Sequence, residues 1–290
     1  MHPVVIEWGK LVIHSYGLML ALSFLLGIWL ARWRAKKADL DPNVVSDVGF
    51  WIIISAIVGS RLYYVILHPE EFQGQWGAVF NPFHGGQVGI GGLVMYGGFI
   101  GAILAGVLFF KLKKLPFLPY ADAVAPSIGV GIFLTRIGCF LNGCCFGAPH
   151  EGTCSVSFPI SSPAGHYQHQ LDAAGLYPSQ LFESLGGLAI ALIVVAVGRK
   201  RVFTGLQFYL TGILYAVLRF AVDYSRYYSK DEMIGGLSHN QVVCIALFVL
   251  FGGLILKHVL FGEESDAAGE PPPARSGDDR AVKGEPTVGH

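Results

Sequence analysis

Seven ionisable residues stand inside, or at the ends of, long apolar runs of this 290-residue chain: Asp47, Arg61, Asp122, Arg136, Glu183, Arg219 and Asp223. A charge at the centre of a bilayer costs at least about 2.5–3.5 kcal/mol on insertion scales, so such residues face a polar cavity, a partner or a ligand. Three of them are arginines, which keep their charge and present a fork of donors matched to phosphate. Arg219 and Asp223 are four apart, on one helix face, and can pair there. Such pairing would glue a bundle together, yet it would also leave a polar pocket inside lipid. Arg136, Arg219 and Asp223 all fall near one end of their runs, where a phospholipid headgroup fits. An ion channel fits less well, because no ring of like charges and no internal repeat is visible.

Cysteines form the second group with chemistry. Cys139, Cys144, Cys145 and Cys154 cluster around the end of the fourth run, and Cys244 lies in the last. A disulfide joining Cys144 or Cys145 to Cys154 is one reading, suited to an oxidising compartment. A metal site is another, but the spacing departs from the paired CxxC of zinc sites, and His150, His166 and His169 are loosely placed. The expectation is therefore no metal. Cys244 reads as packing. His14 reads either as a cavity-lining residue or as an interfacial structural one.

The elements that must carry these residues follow from composition. Charged residues are 14% of the chain and apolar ones 53%, against roughly 25% charged in ordinary soluble domains. Twenty basic residues balance twenty acidic ones, which argues against a nucleic-acid binder, since that needs a basic patch. Runs of bilayer-spanning length (about 20 residues) fall at about 12–31, 46–67, 90–110, 121–141, 179–198, 205–222 and 240–260. With no β-barrel alternation, these predict an all-α polytopic membrane protein with about seven transmembrane helices.

Basic residues orient it. Arg32, Arg34, Lys36 and Lys37 follow the first span; Lys111, Lys113 and Lys114 follow the third; Arg199, Lys200 and Arg201 follow the fifth; Lys257 ends the seventh. The loops at about 68–89, 142–178 and 223–239 carry only Arg226 and Lys230. The positive-inside rule then predicts an outward-facing N-terminus, periplasmic in a bacterial inner membrane, and a cytoplasmic C-terminus. A single Lys precedes the first span and its basic cluster follows it, the reverse of a signal peptide, so no cleavage is expected. Residues 1–262 are expected to form the membrane domain. Residues 263–290, charged and with the run Pro271-Pro272-Pro273, read as a disordered cytoplasmic tail. Glycines concentrated in the spans read as close-packing positions between helices.

Ordered motifs along the chain resemble the prolipoprotein diacylglyceryl transferases. They are Tyr16-Gly17 after His14, Gly59-Ser60-Arg61, Gly91 through Gly98, Asp122 to Pro126, Arg136 through Gly143, and Tyr177 through Glu183. Tyr215, Arg219, Asp223 and Arg226 follow, and then Ser238-His239-Asn240-Gln241. The resemblance runs from about residue 14 to 241. It implies transfer of the diacylglyceryl group of phosphatidylglycerol onto the lipobox cysteine thiol of a prolipoprotein, with glycerol phosphate released. It also implies residence in the bacterial inner membrane among membrane lipids, with the cavity toward the periplasm, and no cofactor.

Carried over position by position, the resemblance implies catalytic roles for Arg136, Arg219, Tyr96 and Asp223. It implies substrate contacts for Arg136, Arg219, Arg61, Arg226, Tyr16, Asn142, Gly97, Gly98, Tyr215, Gln180 and Glu183. The sequence departs from the family in three places. Tyr96 stands where many members have His, and Cys139 and Cys144 stand where Asn and Glu are common. Either Tyr96 is a hydrogen-bond partner, or the thiol proton leaves through Asp223 or solvent. Two other readings stay open: a lipid-binding or lipid-transporting protein without catalysis, and a divergent paralogue with another acceptor. In the loop 68–89, Phe72, Trp76, Phe80 and Phe83 predict an interfacial segment. The loop 142–178 is expected to meet the incoming signal-peptide segment or simply to anchor at the interface.

Overall fold

The computed structural model describes residues 4–8, 11–72, 77, 83–84, 87–88, 94–200, 202–226, 228 and 233–261. The segment 263–290, together with Trp76, Phe80, Gly91, Gly92, Leu93 and Lys230, lies outside the described residues.

A hairpin of β1 (Val4–Trp8) and β2 (Leu11–His14) leads directly into α1 (Ser15–Lys37). Then come α2 (Pro42–Leu67), a 3-10 turn at Pro69–Phe72, the short pair β3 (Phe83–His84) and β4 (Gln87–Val88), and α3 (Met95–Lys113). The chain continues through α4 (Phe117–Asn142), the short α5 (Pro163–Gln170), α6 (Ser179–Gly198) and α7 (Leu206–Asp223). A hairpin of β5 (Met233–Ile234) and β6 (Leu237–Ser238) opens α8 (His239–Phe261). Seven of these helices are long and apolar enough to cross a membrane, which agrees with the expected spans. Their bounds differ from the apolar runs in both directions: α1 and α3 begin at Ser15 and Met95 rather than 12 and 90, while several ends continue further through capped and charged turns. α1 reaches Lys37 rather than residue 31, and α2 starts at Pro42 because Asp41 accepts the Asn43 amide at 2.9 Å.

The spans expose large apolar side chains on their outer faces. Leu25, Trp29, Phe99, Leu104, Leu185, Leu192 and Val249 are examples. In water this would be a broad adhesive surface; in a bilayer it is the solvated one. This is a multi-pass membrane protein.

Two packing centres organise the bundle. One joins Ala31 and Ala35 of α1, Val45 and Val48 of α2, Phe109 and Phe110 of α3, and Tyr120 and Ala123 of α4. It sits at the end where the basic residues emerge. The other joins Ala125 of α4 to Ile190 and Val194 of α6, with Phe208, Leu214 and Leu218 of α7 packed on it. Asp122 ties the basic end further. Its carboxylate accepts the Gly205 amide at 2.6 Å and the Phe208 amide at 2.9 Å, which caps α7. This intramembrane acid is therefore a helix cap. Asp47 is exposed near the start of α2.

The pair α2–α3 is drawn together at its other end by small residues. A Cβ on Gly97 would collide with the Gly59 carbonyl oxygen and the Tyr63 Cβ, and one on Gly98 would meet Ser60 Oγ. The Val94 amide donates to the Ser60 carbonyl at 3.2 Å. Gly97 and Gly98, expected to touch substrate, here serve the close approach of two helices.

Candidate functional site

Alternating helix direction brings the C-terminal ends of α4 and α7 together with the N-terminal ends of α1, α6 and α8. There Glu183, 1% exposed, is the hub. Arg136 of α4 donates to its Oε1 at 2.7 Å. Arg226, just past α7, donates to Oε2 at 3.3 Å, and Arg219 Nη1 lies 3.5 Å from the same oxygen. Three helices and one loop thus converge on a single carboxylate. The spacing in α7 makes this possible, since Tyr215, Arg219 and Asp223 repeat every four residues along one face.

Asp223, also buried, is the second anchor. Its Oδ1 lies 3.3 Å from Arg219 Nη2, so the predicted i,i+4 pair forms. The same oxygen accepts the Tyr228 hydroxyl at 2.6 Å, and Oδ2 accepts the Ser238 hydroxyl. Asn240 Nδ2 donates to the Tyr228 hydroxyl at 3.0 Å. Gln241 Oε1 accepts the Ser238 amide at 3.0 Å, while Ser238 Oγ accepts the Gln241 amide at 3.1 Å, a reciprocal capping box that starts α8. The Ser238–Gln241 motif therefore holds Asp223 in place. Partial burial, followed by the hydrogen bond to Asp223, pushes the Tyr228 phenol up.

The charge balance is uneven. Arg136, Arg219 and Arg226 face Glu183 and Asp223, which leaves one positive charge in excess. Arg219 Nη1 and Arg226 Nε are buried and make no hydrogen bond among the described residues. Buried donors that make no hydrogen bond are costly, even where, as for Arg219 Nη1, a carboxylate lies at 3.5 Å, and an anion arriving there would satisfy them.

The other predicted residues divide. Tyr215 is half-buried and interacts electrostatically with Glu183, Arg219 and Arg136. Gln180, fully buried, donates from Nε2 to the Cys144 carbonyl at 2.9 Å, and its Oε1 makes no hydrogen bond among the described residues. Tyr16 lies beside Arg136 and the cysteines because Gly138 leaves room for the backbone of α1; a Cβ there would stand 3.3 Å from Tyr16 Cα. Asn142 ends α4, and its side chain reaches the Cys144 sulfur. By contrast, Arg61 is buried on α2 against the rings of Phe72 and Tyr64, at 5.2 and 5.6 Å. Tyr96 is 65% exposed on α3. Neither joins the Glu183 hub. His14 is exposed at the start of α1. Of the predicted interfacial aromatics, Phe72 is buried rather than lying at a rim, because it covers Arg61.

The cysteine cluster expected at the end of the fourth span forms, but with three members and without the disulfide to Cys154. All five cysteines are free, and Cys154 is exposed and outside the group. Gly143 caps α4 in the left-handed region at φ +71°, with the Cys144 amide donating to the Cys139 carbonyl at 3.0 Å. Cys145 is again left-handed, at φ +61°, an uncommon conformation for a residue with a side chain. The two reversals bring the sulfurs of Cys139, Cys144 and Cys145 within 4.8 Å of one another. Hydrogen bonds with the Cys139 and Cys144 thiols, helped by the charges of Arg136 and Arg226, pull the Cys145 thiol down against its desolvation. No spacing rule for paired ligands would have found this group. Its signal was the glycine between Asn142 and Cys144.

Above the site, residues 143–178 form an ordered cap around Phe158, Ala164 and Leu176, onto which Phe140, Phe146 and Tyr167 pack. Ser162 starts α5 by accepting the Gly165 amide at 3.1 Å.

A profile of the prolipoprotein diacylglyceryl transferases matches residues 3–257. The chain belongs to that family. Among its curated relatives is a phosphatidylglycerol–prolipoprotein diacylglyceryl transferase of Nitratidesulfovibrio vulgaris, 33% identical over 266 residues, which cover 88% of this chain and 93% of the relative. A protein of the same name from Listeria innocua is 30% identical, covering 88% and 89%. Another from Trichormus variabilis is 30% identical, covering 84% of each. This transferase-family chain thus matches its relatives nearly end to end, and the arginine hub lies within the matched region.

Proposed function

We propose that this chain transfers the diacylglyceryl group of phosphatidylglycerol to the lipobox cysteine of a prolipoprotein, the first step of lipoprotein maturation. The observation that carries the reading is the buried surplus of positive charge with unmet donors on Arg219 and Arg226. The thiolate attacks the glyceryl carbon bonded to the phosphate-ester oxygen. A C–S bond forms, the C–O bond breaks, and glycerol phosphate leaves with the electron pair, gaining negative charge as it does so. Fixed cations in a water-poor site stabilise that departure far more than water would.

In this reading Arg136 and Arg219 hold the phosphate, and Glu183 and Asp223 hold the arginines in register. Tyr215, Gln180, Tyr16 and Asn142 border the lipid headgroup. The basic loops face the cytoplasm, so the site opens toward the periplasm at the bacterial inner membrane. Residues 1–262 carry the reaction and 263–290 extend into the cytoplasm without a part in it. The ordered cap over the site meets the signal-peptide segment.

The test is rescue of a bacterial strain depleted of its own transferase, paired with thioether formation on a lipobox peptide in phosphatidylglycerol vesicles. Rescue and a peptide heavier by one diacylglyceryl group are expected. Folded protein in the membrane that binds phosphatidylglycerol but yields no thioether would overturn the assignment in favour of a lipid-binding protein.

A further inference from the structure

The proposed reaction leaves one proton unassigned. The attacking thiol must become a thiolate, yet both carboxylates of the hub are engaged. Glu183 faces three arginines, and Asp223 accepts from Tyr228 and Ser238 while pairing with Arg219. Tyr96 is exposed on α3, away from the hub. No general base is left among them.

What does stand beside the arginines is the thiol group formed by Cys139, Cys144 and Cys145. It is built rather than incidental. Cys139 is 3% exposed in the last turn of α4, and two left-handed residues turn the chain so that the next two thiols fall back on it. The turn is secured from a second helix by the hydrogen bond of Gln180 to the Cys144 carbonyl. Arg136 Nη1 lies 3.9 Å from the Cys139 sulfur, so the group borders the hub directly. Three mutually adjacent soft donors exceed what one disulfide needs and match what a thiophilic cation takes. With metal–sulfur bonds of about 2.3 Å in tetrahedral geometry, the sulfurs would stand about 3.8 Å apart. They lie within 4.8 Å already, so closure takes a shift of about 1 Å.

We propose that Cys139, Cys144 and Cys145 form a three-thiolate site for a zinc-type cation whose fourth position receives the substrate thiol. This departs from the metal-free expectation carried by the family resemblance, at the two positions where Cys139 and Cys144 replace the common Asn and Glu. Three thiolates and a divalent cation carry one negative charge, set beside Arg136 at the edge of the hub. Three protein ligands and an open position are the pattern of a reactive rather than a structural zinc site. A thiol entering that position loses its proton to solvent on binding, because a coordinated thiol is deprotonated outright. The bound thiolate then forms the C–S bond as the C–O bond to phosphate breaks. The metal changes neither charge nor oxidation state. This role rests on the proposed transfer reaction; the binding site itself does not.

The experiment uses full-length protein, purified in detergent and stripped of metal, titrated with Co2+. One cobalt per chain is expected, with thiolate-to-cobalt charge-transfer absorption and tetrahedral ligand-field bands that Zn2+ bleaches. Cys139→Ser, Cys144→Ser and Cys145→Ser should each lose the bands, and Cys154→Ser should keep them. Wild-type protein gives a readout free of folding effects: Zn2+ should protect those three cysteines, and not Cys154, from iodoacetamide in mass spectrometry. A lipobox peptide should shift the cobalt bands, and its Cys→Ser version should not. Absent bands, or a disulfide among the three thiols in place of metal, would overturn the site even if transfer proceeds. Bands that ignore the peptide in transferring protein would overturn the fourth-position role. Metal binding without any transfer would sink the proposed reaction and leave the site standing.

Discussion

The α2–α3 pair and the α4–α6–α7–α8 group use intramembrane polarity in opposite ways. In the second group, arginines and carboxylates from separate helices converge on Glu183 and Asp223, and the excess charge has donors to spare. In the first, Arg61 is covered by Phe72 and Tyr64, and glycines rather than charges bring the helices together. Both regions join at the basic end through the Ala31–Tyr120 cluster. At the opposite end, among the described residues, no buried cluster links them. The difference teaches that a charge in a membrane span marks function only where charges from several elements meet.

Substitutions can break this contrast, most strongly in the hub. Arg219→Ala and Arg136→Ala should each lower thioether formation by about 100-fold or more, the usual cost of removing a preorganised charge-stabilising donor. Lys at either position should restore only part of it, because the paired donors are lost. Turnover on the lipobox peptide measures both. Full activity in Arg136→Ala would dissolve the phosphate clamp and make the two regions alike.

Next in size is Glu183→Gln. It leaves three arginines with Asp223 as the one remaining carboxylate among the described residues of the hub, and breaking a buried pair costs about 3–5 kcal/mol. A fall in the melting temperature of detergent-solubilised protein, together with weakened phosphatidylglycerol binding, is the expected outcome. An unchanged melting temperature would mean that the hub does not hold the helices.

In the glycine-packed region, Gly97→Val should cost about 1–3 kcal/mol through overpacking against Gly59 and Tyr63. Its signature is thermal destabilisation, with no change in the affinity of the remaining folded protein for phosphatidylglycerol. The smallest effect belongs to Tyr96→Phe, whose hydroxyl is lost from an exposed ring. Turnover should stay within about twofold, in line with surface substitutions. A large loss would draw α3 into the chemistry and redraw the boundary between the two regions.

Much of the site was legible because bilayers penalise charge. Arg136, Glu183, Arg219 and Asp223 stand out in apolar runs, and the four-residue spacing of Arg219 and Asp223 fixes their pairing within α7. Asp122 stood out by the same rule, yet it caps the start of α7. Cost alone cannot separate a cap from a ligand site, since both are ways of satisfying one buried carboxylate. Tyr96 and Arg61 were placed in the site by resemblance, and the folded chain puts them on helices that meet the hub at neither residue.

By itself the sequence determined the seven helices, through apolar runs of bilayer length. It determined that the site residues share one end, because alternating direction leaves no other arrangement, and it determined the family, through motifs in fixed order. Only the tertiary structure decided that Glu183 serves three arginines at once, since one carboxylate's partners come from α4, α7 and the loop beyond it. It also decided that three cysteines, unremarked by spacing, face each other. That meeting depends on two left-handed residues, Gly143 and Cys145, whose backbone angles turn a helix end back on itself. Gly143 marks the first of them locally, but the angle at Cys145 is set by what the turn packs against, including Gln180 on another helix.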